Sequence, residues 1–231
     1  TNEIIHNPRV NAKLQEIGIQ FLSGPYACGI SIEEIQEGDV VIIPAFGNTI
    51  KELELLQKRG SILVDTTCGS VMSVWKRVES YARDGFTSVV HGKYDHEETL
   101  ATCSRVLQYP QGKFLVVRDK NQAQKVCDYI EGRVTRNEFF EEFEKAVSAG
   151  FDPDLDLNRI GCANQTTMLS SESLEIANML QGAVQRRFGE GELPRRFRHF
   201  DTICSATQER QDAVLKLITH EKPEVRREAM A

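Results

Sequence analysis

The stretch Ser88-Val89-Val90-His91-Gly92-Lys93-Tyr94-Asp95-His96-Glu97-Glu98-Thr99 sets out the plan of the chain: a short apolar run, a polar turn, and the start of an acidic helix. Short uninterrupted apolar runs read as strands covered on both faces, as in parallel sheets packed between helices. Outward from this stretch, the same unit recurs at Val40-Val41-Ile42-Ile43, Ile62-Leu63-Val64 and Phe114-Leu115-Val116-Val117. Weaker runs lie at Ile4-Ile5, Arg159-Ile160-Gly161 and His199-Phe200. About seven alternations of strand and helix predict an α/β fold of parallel sheets flanked by helices.

The helical segments support this. After Cys68, apolar residues fall at Val71, Val74, Trp75 and Val78, spacings of three and four that put them on one face and Trp75 in the core. Leu174, Ile176, Ala177 and Leu180 read the same way, as do Ala213, Val214, Leu217 and Ile218. Between two strand–helix units lies a Phe-rich and Glu-rich helical stretch, Thr135 to Gly150, followed by the turn Phe151-Asp152-Pro153-Asp154. It is expected to be an insertion packed on the sheet edge.

The chain has 231 residues, enough for one large α/β domain or two or three small ones sharing a core. With 40% hydrophobic and 27% charged residues it has globular composition, and no apolar run approaches the roughly 18 residues of a membrane-spanning helix. A net charge of -6 argues against a nucleic-acid groove, and the cluster Arg195, Arg196, Arg198 reads as a solvated face. Six cysteines (Cys28, Cys68, Cys103, Cys127, Cys162, Cys204) without a CxxC pair fit neither a zinc ribbon nor a secreted disulfide framework. They suit a reducing cytosol or plastid stroma. Thr1 without Met, entering Ile4-Ile5 within three residues, reads as a chain cut inside a domain, and 219–231 reads as a divergent or frayed charged tail.

Asp65-Thr66-Thr67-Cys68 and Asp201-Thr202-Ile203-Cys204 each end a strand and open a helix. Unpaired amides at a helix N-terminus favour thiolate, the form that ligates metal. Two helix-capping cysteines by coincidence is the alternative, but the shared Asp-Thr-x-Cys context favours a joint ligand role for Cys68 and Cys204. Cys28, Cys103, Cys127 and Cys162 lack that context and read as structural.

Three further places carry polar groups at strand ends. His96 is suited to hold an anion at a helix start and Glu98 to move protons; dipole-favoured acid at a helix N-terminus is the alternative. His6, before Asn7-Pro8, ends a run at a turn, where a lone histidine is more often structural. Asn164-Gln165-Thr166-Thr167 presents amides and hydroxyls that fit either a substrate hydroxyl and proton relay or plain helix capping.

The motifs Glu3-Ile4-Ile5-His6-Asn7-Pro8, Asp65-Thr66-Thr67-Cys68, His91-Gly92-Lys93-Tyr94 with His96-Glu97-Glu98-Thr99, Ala163-Asn164-Gln165-Thr166-Thr167-Met168-Leu169 and Asp201-Thr202-Ile203-Cys204-Ser205-Ala206-Thr207-Gln208-Glu209-Arg210-Gln211 stand in this order. Together they resemble the LytB/IspH family of hydroxymethylbutenyl diphosphate reductases, in its cyanobacterial and plant-like branch. The resemblance runs from Thr1 to about Ile218. It implies a three-lobed arrangement of small parallel sheets around a 4Fe-4S cluster held by three cysteines, with one iron open to the substrate hydroxyl. Cys68 and Cys204 match the second and third ligands, and the first is absent from this chain. It further implies diphosphate contacts from His6 and His96, a proton donor in Glu98, a hydroxyl relay contact in Thr166 with Gln165 beside it, and Thr207 near the cluster. Phe46 stands where many bacterial relatives have histidine. The Ser-Asn-rich loop and late serine that complete the diphosphate pocket do not follow Ile218, so 1–231 is expected to be a partial reductase unit.

The expected reaction is two-electron, two-proton removal of the hydroxyl of 4-hydroxy-3-methylbut-2-enyl diphosphate as water, giving isopentenyl and dimethylallyl diphosphates, with ferredoxin as the implied electron donor. The resemblance places it in a bacterial cytoplasm or a plastid stroma. Two rivals stand beside it: a non-catalytic fragment that keeps the fold without a complete cluster, and a zinc or thiol hydrolase using Cys68 or Cys204 with His96.

Overall fold

The computed structural model describes residues 3–199 and 204–219. Phe200, the Asp201-Thr202-Ile203 part of the second cysteine motif and 220–231 lie outside the described residues. In chain order the elements are α1 (Pro8–Glu16), β1 (Val40–Ile43), α2 (Ile50–Lys58), β2 (Ile62–Asp65), α3 (Gly69–Arg83), β3 (Thr87–His91), α4 (Glu97–Val106), β4 (Phe114–Val117) and α5 (Lys120–Ile130). They continue with α6 (Arg136–Phe143), α7 (Pro153–Asp156), β5 (Ile160–Asn164), α8 (Ser170–Phe188), α9 (Leu193–Arg196), β6 (Phe197–His199) and α10 (Ser205–Ile218).

Among the described residues the strands form two parallel sheets flanked by helices. In the smaller, β1 pairs with β2 from Val40↔Ile62 to Ile43↔Asp65. The larger has the order β4-β3-β5-β6, all parallel. Every residue of β3 and β5 is buried, because helices cover both faces. α3 packs against α4, and α5 against α8. From β3 the chain crosses to β4 on one side and then returns past β3 to β5 on the other. The strand order therefore reverses between β3 and β5, and the crevice beyond their carboxyl ends is where open α/β sheets place ligands.

Sequence chemistry sets the element ends. α2 and α6 begin with reciprocal capping boxes, Thr49 with Glu52 and Thr135 with Glu138. Val71, Val74, Trp75 and Val78 are buried on the expected face of α3. β5 is a weak strand by composition, and its glycine has a steric reason: a Cβ at Gly161 would lie 2.7 Å from the Tyr81 ring, whose hydroxyl donates to Cys162 O at 2.9 Å.

The insertion after α5 covers the β4 edge. Helix is confined to Arg136–Phe143, which buries Phe139 and Phe143, with the Phe139 ring against Tyr129, Phe143 and Phe151. The chain then runs antiparallel to β4, with Val116 N donating to Ala146 O at 2.8 Å and Ser148 N to Phe114 O at 3.1 Å. Pairing the edge strand removes a template for aggregation.

Three expectations change. Ile4-Ile5 is not a strand: the buried side chain of Asn11 accepts from Ile4 N at 3.3 Å and donates to Ile5 O at 3.0 Å, so these groups bond to an amide side chain instead of a ladder. On α8, Ile176, Ala177 and Leu180 are buried, but Leu174 near the helix start is exposed. On α10, Val214, Leu217 and Ile218 are all exposed, with no covering element among the described residues. Helical spacing reports an apolar face, not what covers it.

Gly161→Ala is expected to destabilise the fold by about 1–3 kcal/mol, the usual cost of overpacking a filled core. Chemical denaturation would show this as a lower midpoint with an unchanged slope.

Candidate functional site

Most of the polar groups singled out in the sequence stand beyond the carboxyl ends of strands, while His6 stands in the turn before α1. After β1, Phe46 is buried in Pro44-Ala45-Phe46-Gly47. Gly47 has φ of +75°, and a Cβ there would sit 2.3 Å from Trp75 Cζ2, so only glycine lets the loop close over the indole. After β2, Asp65 Oδ1 accepts from Thr67 N at 2.9 Å and from the Thr67 hydroxyl at 2.5 Å. This tight turn delivers Cys68 to the N-terminus of α3, with its thiol exposed. Cys68 N donates to Ala45 O at 3.0 Å, while Ala45 N donates to Ile4 O at 3.0 Å. One loop thus ties the cysteine turn to the His6 turn.

His6 is held by its neighbours in sequence. Asn7 caps α1, accepting from Arg9 N and Val10 N, and Pro8 occupies the first helical turn. The Asn11 clamp fixes the backbone before it. His6 then packs on Phe46, ring centroids 4.2 Å apart, and its Nε2 lies 3.3 Å from His96 Nε2. His96 caps α4, its Nδ1 accepting from Glu98 N at 3.1 Å. Burial holds His96 below the ordinary histidine range, helped by the nearby His6 and Lys93 and opposed by Asp95 and Glu3.

Glu98 lies on the first turn of α4, almost wholly buried, and reaches across to the segment after β5. Its Oε1 accepts from Thr166 N at 2.5 Å and its Oε2 from the Thr166 hydroxyl at 3.0 Å, joining residues 68 positions apart. Burial raises the carboxyl above its ordinary range, more than the Thr166 amide and hydroxyl and the neighbouring His6 lower it. Gln165 Oε1 accepts from Lys93 N at 3.1 Å and the Thr99 hydroxyl at 3.2 Å. A Cβ on Gly92 would lie 2.9 Å from that hydroxyl and 3.0 Å from Gln165 Cβ, so glycine is required where these segments meet.

The two motif cysteines are linked by one intermediary. Cys204 caps α10, and the hydroxyl of Ser70, two residues beyond Cys68, faces its sulfur. Burial pushes the Cys204 thiol up, but the Thr207 amide, the Ser70 and Thr207 hydroxyls and the Ala206 amide outweigh it and bring it below its ordinary value. None of these contacts has the geometry of a full side-chain cap. Cys103, Cys127 and Cys162 are buried in the core, where burial raises all three thiols, Cys127 to about 12. Cys28 is exposed. Among the described residues no three His, Cys, Asp or Glu side chains converge as a metal site. Two thiols on helix N-termini, that of Cys204 brought below its ordinary value by neighbouring amides and hydroxyls, fit a thiolate-ligated iron centre as two of its donors.

Sequence reading picked out His6, Phe46, His96, Glu98, Gln165, Thr166, Cys68, Cys204 and Thr207, and missed Glu3, Asn11 and Ser70. Glu3 Oε2 lies 3.0 Å from His6 Nδ1. The available signal for Asn11 was a polar residue opening the buried side of a short helix, which periodicity treats as noise.

As a class this is an open-sheet α/β protein with imidazole, carboxyl, amide and thiol groups gathered at the carboxyl ends of its strands. The profile of the LytB protein family matches residues 1–223, and the chain belongs to that family. It is 50% identical over 218 residues to the 4-hydroxy-3-methylbut-2-enyl diphosphate reductase of Prochlorococcus marinus (strain MIT 9211), covering 94% of this chain and 52% of the relative. With the enzyme of the same name from Synechococcus sp. (strain RCC307) it shares 51% over 219 residues, again 94% and 52%. The chain spans about half the length of these curated relatives. A solved structure of (E)-4-hydroxy-3-methyl-but-2-enyl diphosphate reductase matches with TM-score 0.58 and 26% identity over 98% of this chain and 67% of that one. The Plasmodium falciparum E-1-hydroxy-2-methyl-but-2-enyl-4-diphosphate reductase matches with TM-score 0.64 and 21% identity over 94% of this chain and 54% of that one, which bears on the fold alone.

The state of Glu98 has a thermodynamic signature. Its folded value lies above the 4.5 of an unperturbed glutamate, so between these values the folded chain binds more protons than the unfolded one. The stabilisation from this group is fully present below pH 4.5 and is lost as pH rises through the folded value. Glu98→Gln should remove that segment of the pH–stability curve, seen by urea denaturation at a series of pH values, and leave the rest in place.

Proposed function

We propose that the chain carries a principal part of the active site of a 4-hydroxy-3-methylbut-2-enyl diphosphate reductase in non-mevalonate isoprenoid biosynthesis. The observation that carries this reading is the Glu98–Thr166 pair: a buried carboxyl, raised by burial and bonded to a hydroxyl, at the reversal of strand order and beside two histidines. The reaction replaces an allylic C–O bond by C–H. Two electrons and two protons enter and water leaves, giving isopentenyl or dimethylallyl diphosphate.

The residues divide this work. Oε1 of Glu98 accepts from the Thr166 amide, so the acidic proton resides on Oε2. In that form Glu98 donates to the Thr166 hydroxyl oxygen, and the Thr166 hydrogen turns to the substrate hydroxyl. The pair becomes a relay delivering the proton that makes hydroxyl a leaving group. His6 and His96 bind the diphosphate, with Phe46 packed against both rings. Gln165 keeps the segment after β5 against α4, and Thr207 supports the Cys204 sulfur. Cys68 and Cys204 would hold a 4Fe-4S cluster, completed by a third thiolate that the described residues do not supply. When bound, such a cluster supplies electrons and a Lewis-acidic iron for the hydroxyl. A ferredoxin-like protein is the proposed electron donor.

In a chain of the relatives' full length carrying this sequence, Glu98→Gln should retain iron and substrate binding. Single-turnover product formation with a chemical reductant should fall by about 100-fold to 10,000-fold, the span expected for loss of a general acid. Near-normal turnover would move the proton source elsewhere. The thiol assignment is tested separately by anaerobic iron and sulfide reconstitution: Cys68→Ser and Cys204→Ser should each lose visible absorbance and iron, whereas Cys103→Ser should keep both. Equal iron content in all three would favour a fold that carries no cluster.

A further inference from the structure

The two imidazoles form part of a chain of hydrogen bonds whose direction is fixed at both ends. Glu98 N is a backbone donor, so His96 Nδ1 must present its lone pair. Neutral His96 then carries its hydrogen on Nε2 and donates it across 3.3 Å to His6 Nε2, which must also be a lone pair. The hydrogen of His6 is therefore on Nδ1, where it meets the Glu3 carboxylate at 3.0 Å. An amide at one end and a carboxylate at the other leave one tautomer for each ring.

We propose that Glu3 is a positioning residue of this pair: it fixes the tautomer of His6 and favours its uptake of a second proton when an anionic ligand arrives. This rests on reading His6 and His96 as diphosphate contacts. In the free state His96 Nε2–H is directed at His6 and the Nε2 of His6 has no hydrogen to give. An anion needs an N–H from each. If His6 gains a proton on Nε2, two N–H groups face each other and the rings turn apart toward the ligand. A carboxylate at Nδ1 stabilises the resulting imidazolium by a charge-assisted hydrogen bond, which a neutral amide cannot match. The other charged or titratable groups near the pair are Glu98 on α4 and Lys93 and Asp95 in the loop before it. Phe46, the remaining close neighbour, carries no charge. Lys93 disfavours added positive charge and Asp95 favours it, which leaves Glu3 as the carboxylate in direct contact with His6.

The test measures binding of inorganic diphosphate to the wild-type chain, Glu3→Gln and Glu3→Asp from about pH 5 to about pH 8, across the histidine range. The ligand's own titration is common to all three and cancels in the affinity ratio. At the acid end Glu3→Gln should bind nearly as well as wild type. As pH rises its relative affinity should fall by about twofold to fivefold, the scale of a solvent-screened ion pair, while Glu3→Asp retains most of the wild-type profile. Nitrogen-15 spectra of histidine-labelled chain without ligand give a second readout: His6 should be the Nδ1–H tautomer in wild type and a mixture in Glu3→Gln. A wild-type to Glu3→Gln ratio that is flat with pH, or a His6 tautomer indifferent to the substitution, overturns the proposal. Absence of diphosphate binding to wild type at every pH would instead sink the diphosphate reading of the histidines, and the tautomer spectra would still decide whether Glu3 orients His6.

Discussion

A buried carboxyl group costs folding energy unless its oxygens find partners, and Glu98 finds them on a residue far away in sequence. Its bonds to the Thr166 amide and hydroxyl hold the α4 N-terminus against the segment after β5, at the point where the sheet reverses order. Much else follows. Glu98 N caps onto His96, His96 meets His6, and His6 packs on Phe46. The loop of Phe46 in turn bonds both the His6 turn and the Cys68 turn. The site is a relay of short contacts in which two sheets and the N-terminal turn are brought into register by a few polar bonds and one aromatic ring.

Glycine makes that compactness possible in two places. At Gly47 the loop closes over Trp75, and at Gly92 the chain passes so near Thr99 and Gln165 that a Cβ would press on both side chains. A Cβ at either position would press on the strand-end loops that carry Phe46, on which His6 packs, and His96.

Parts of this were legible in the sequence and parts were not. β1 to β4 announce themselves as β-branched and aromatic runs. β5 reads weakly because Gly161, Cys162, Ala163 and Asn164 have little strand propensity, and it forms because Tyr81 and two neighbouring strands surround it. Ile4-Ile5 looks like a strand, yet the Asn11 side chain takes its backbone groups, a competition that hydrophobic pattern cannot register. The separate strand-end motifs were visible, whereas the pairing of Glu98 with Thr166 depends on the crossover that returns the chain beside β3. Glu3 drew no notice because an acidic residue near an exposed histidine has no sequence signature of its own.

The distribution of sulfur has a further consequence for how the molecule ages. Cys103, Cys127 and Cys162 are sealed in the interior with their thiols held protonated, so peroxide or an alkylating agent finds them shielded and unreactive. Cys28 and Cys68 are exposed and Cys204 partly so, and the neighbours of Cys204 bring its thiol below the ordinary value. Cysteine oxidation will therefore begin at those three sulfurs and leave the buried thiols intact. A population of such molecules would keep its circular dichroism and its melting curve long after its surface thiols had been consumed, so their oxidation would leave no trace in any measurement of folding.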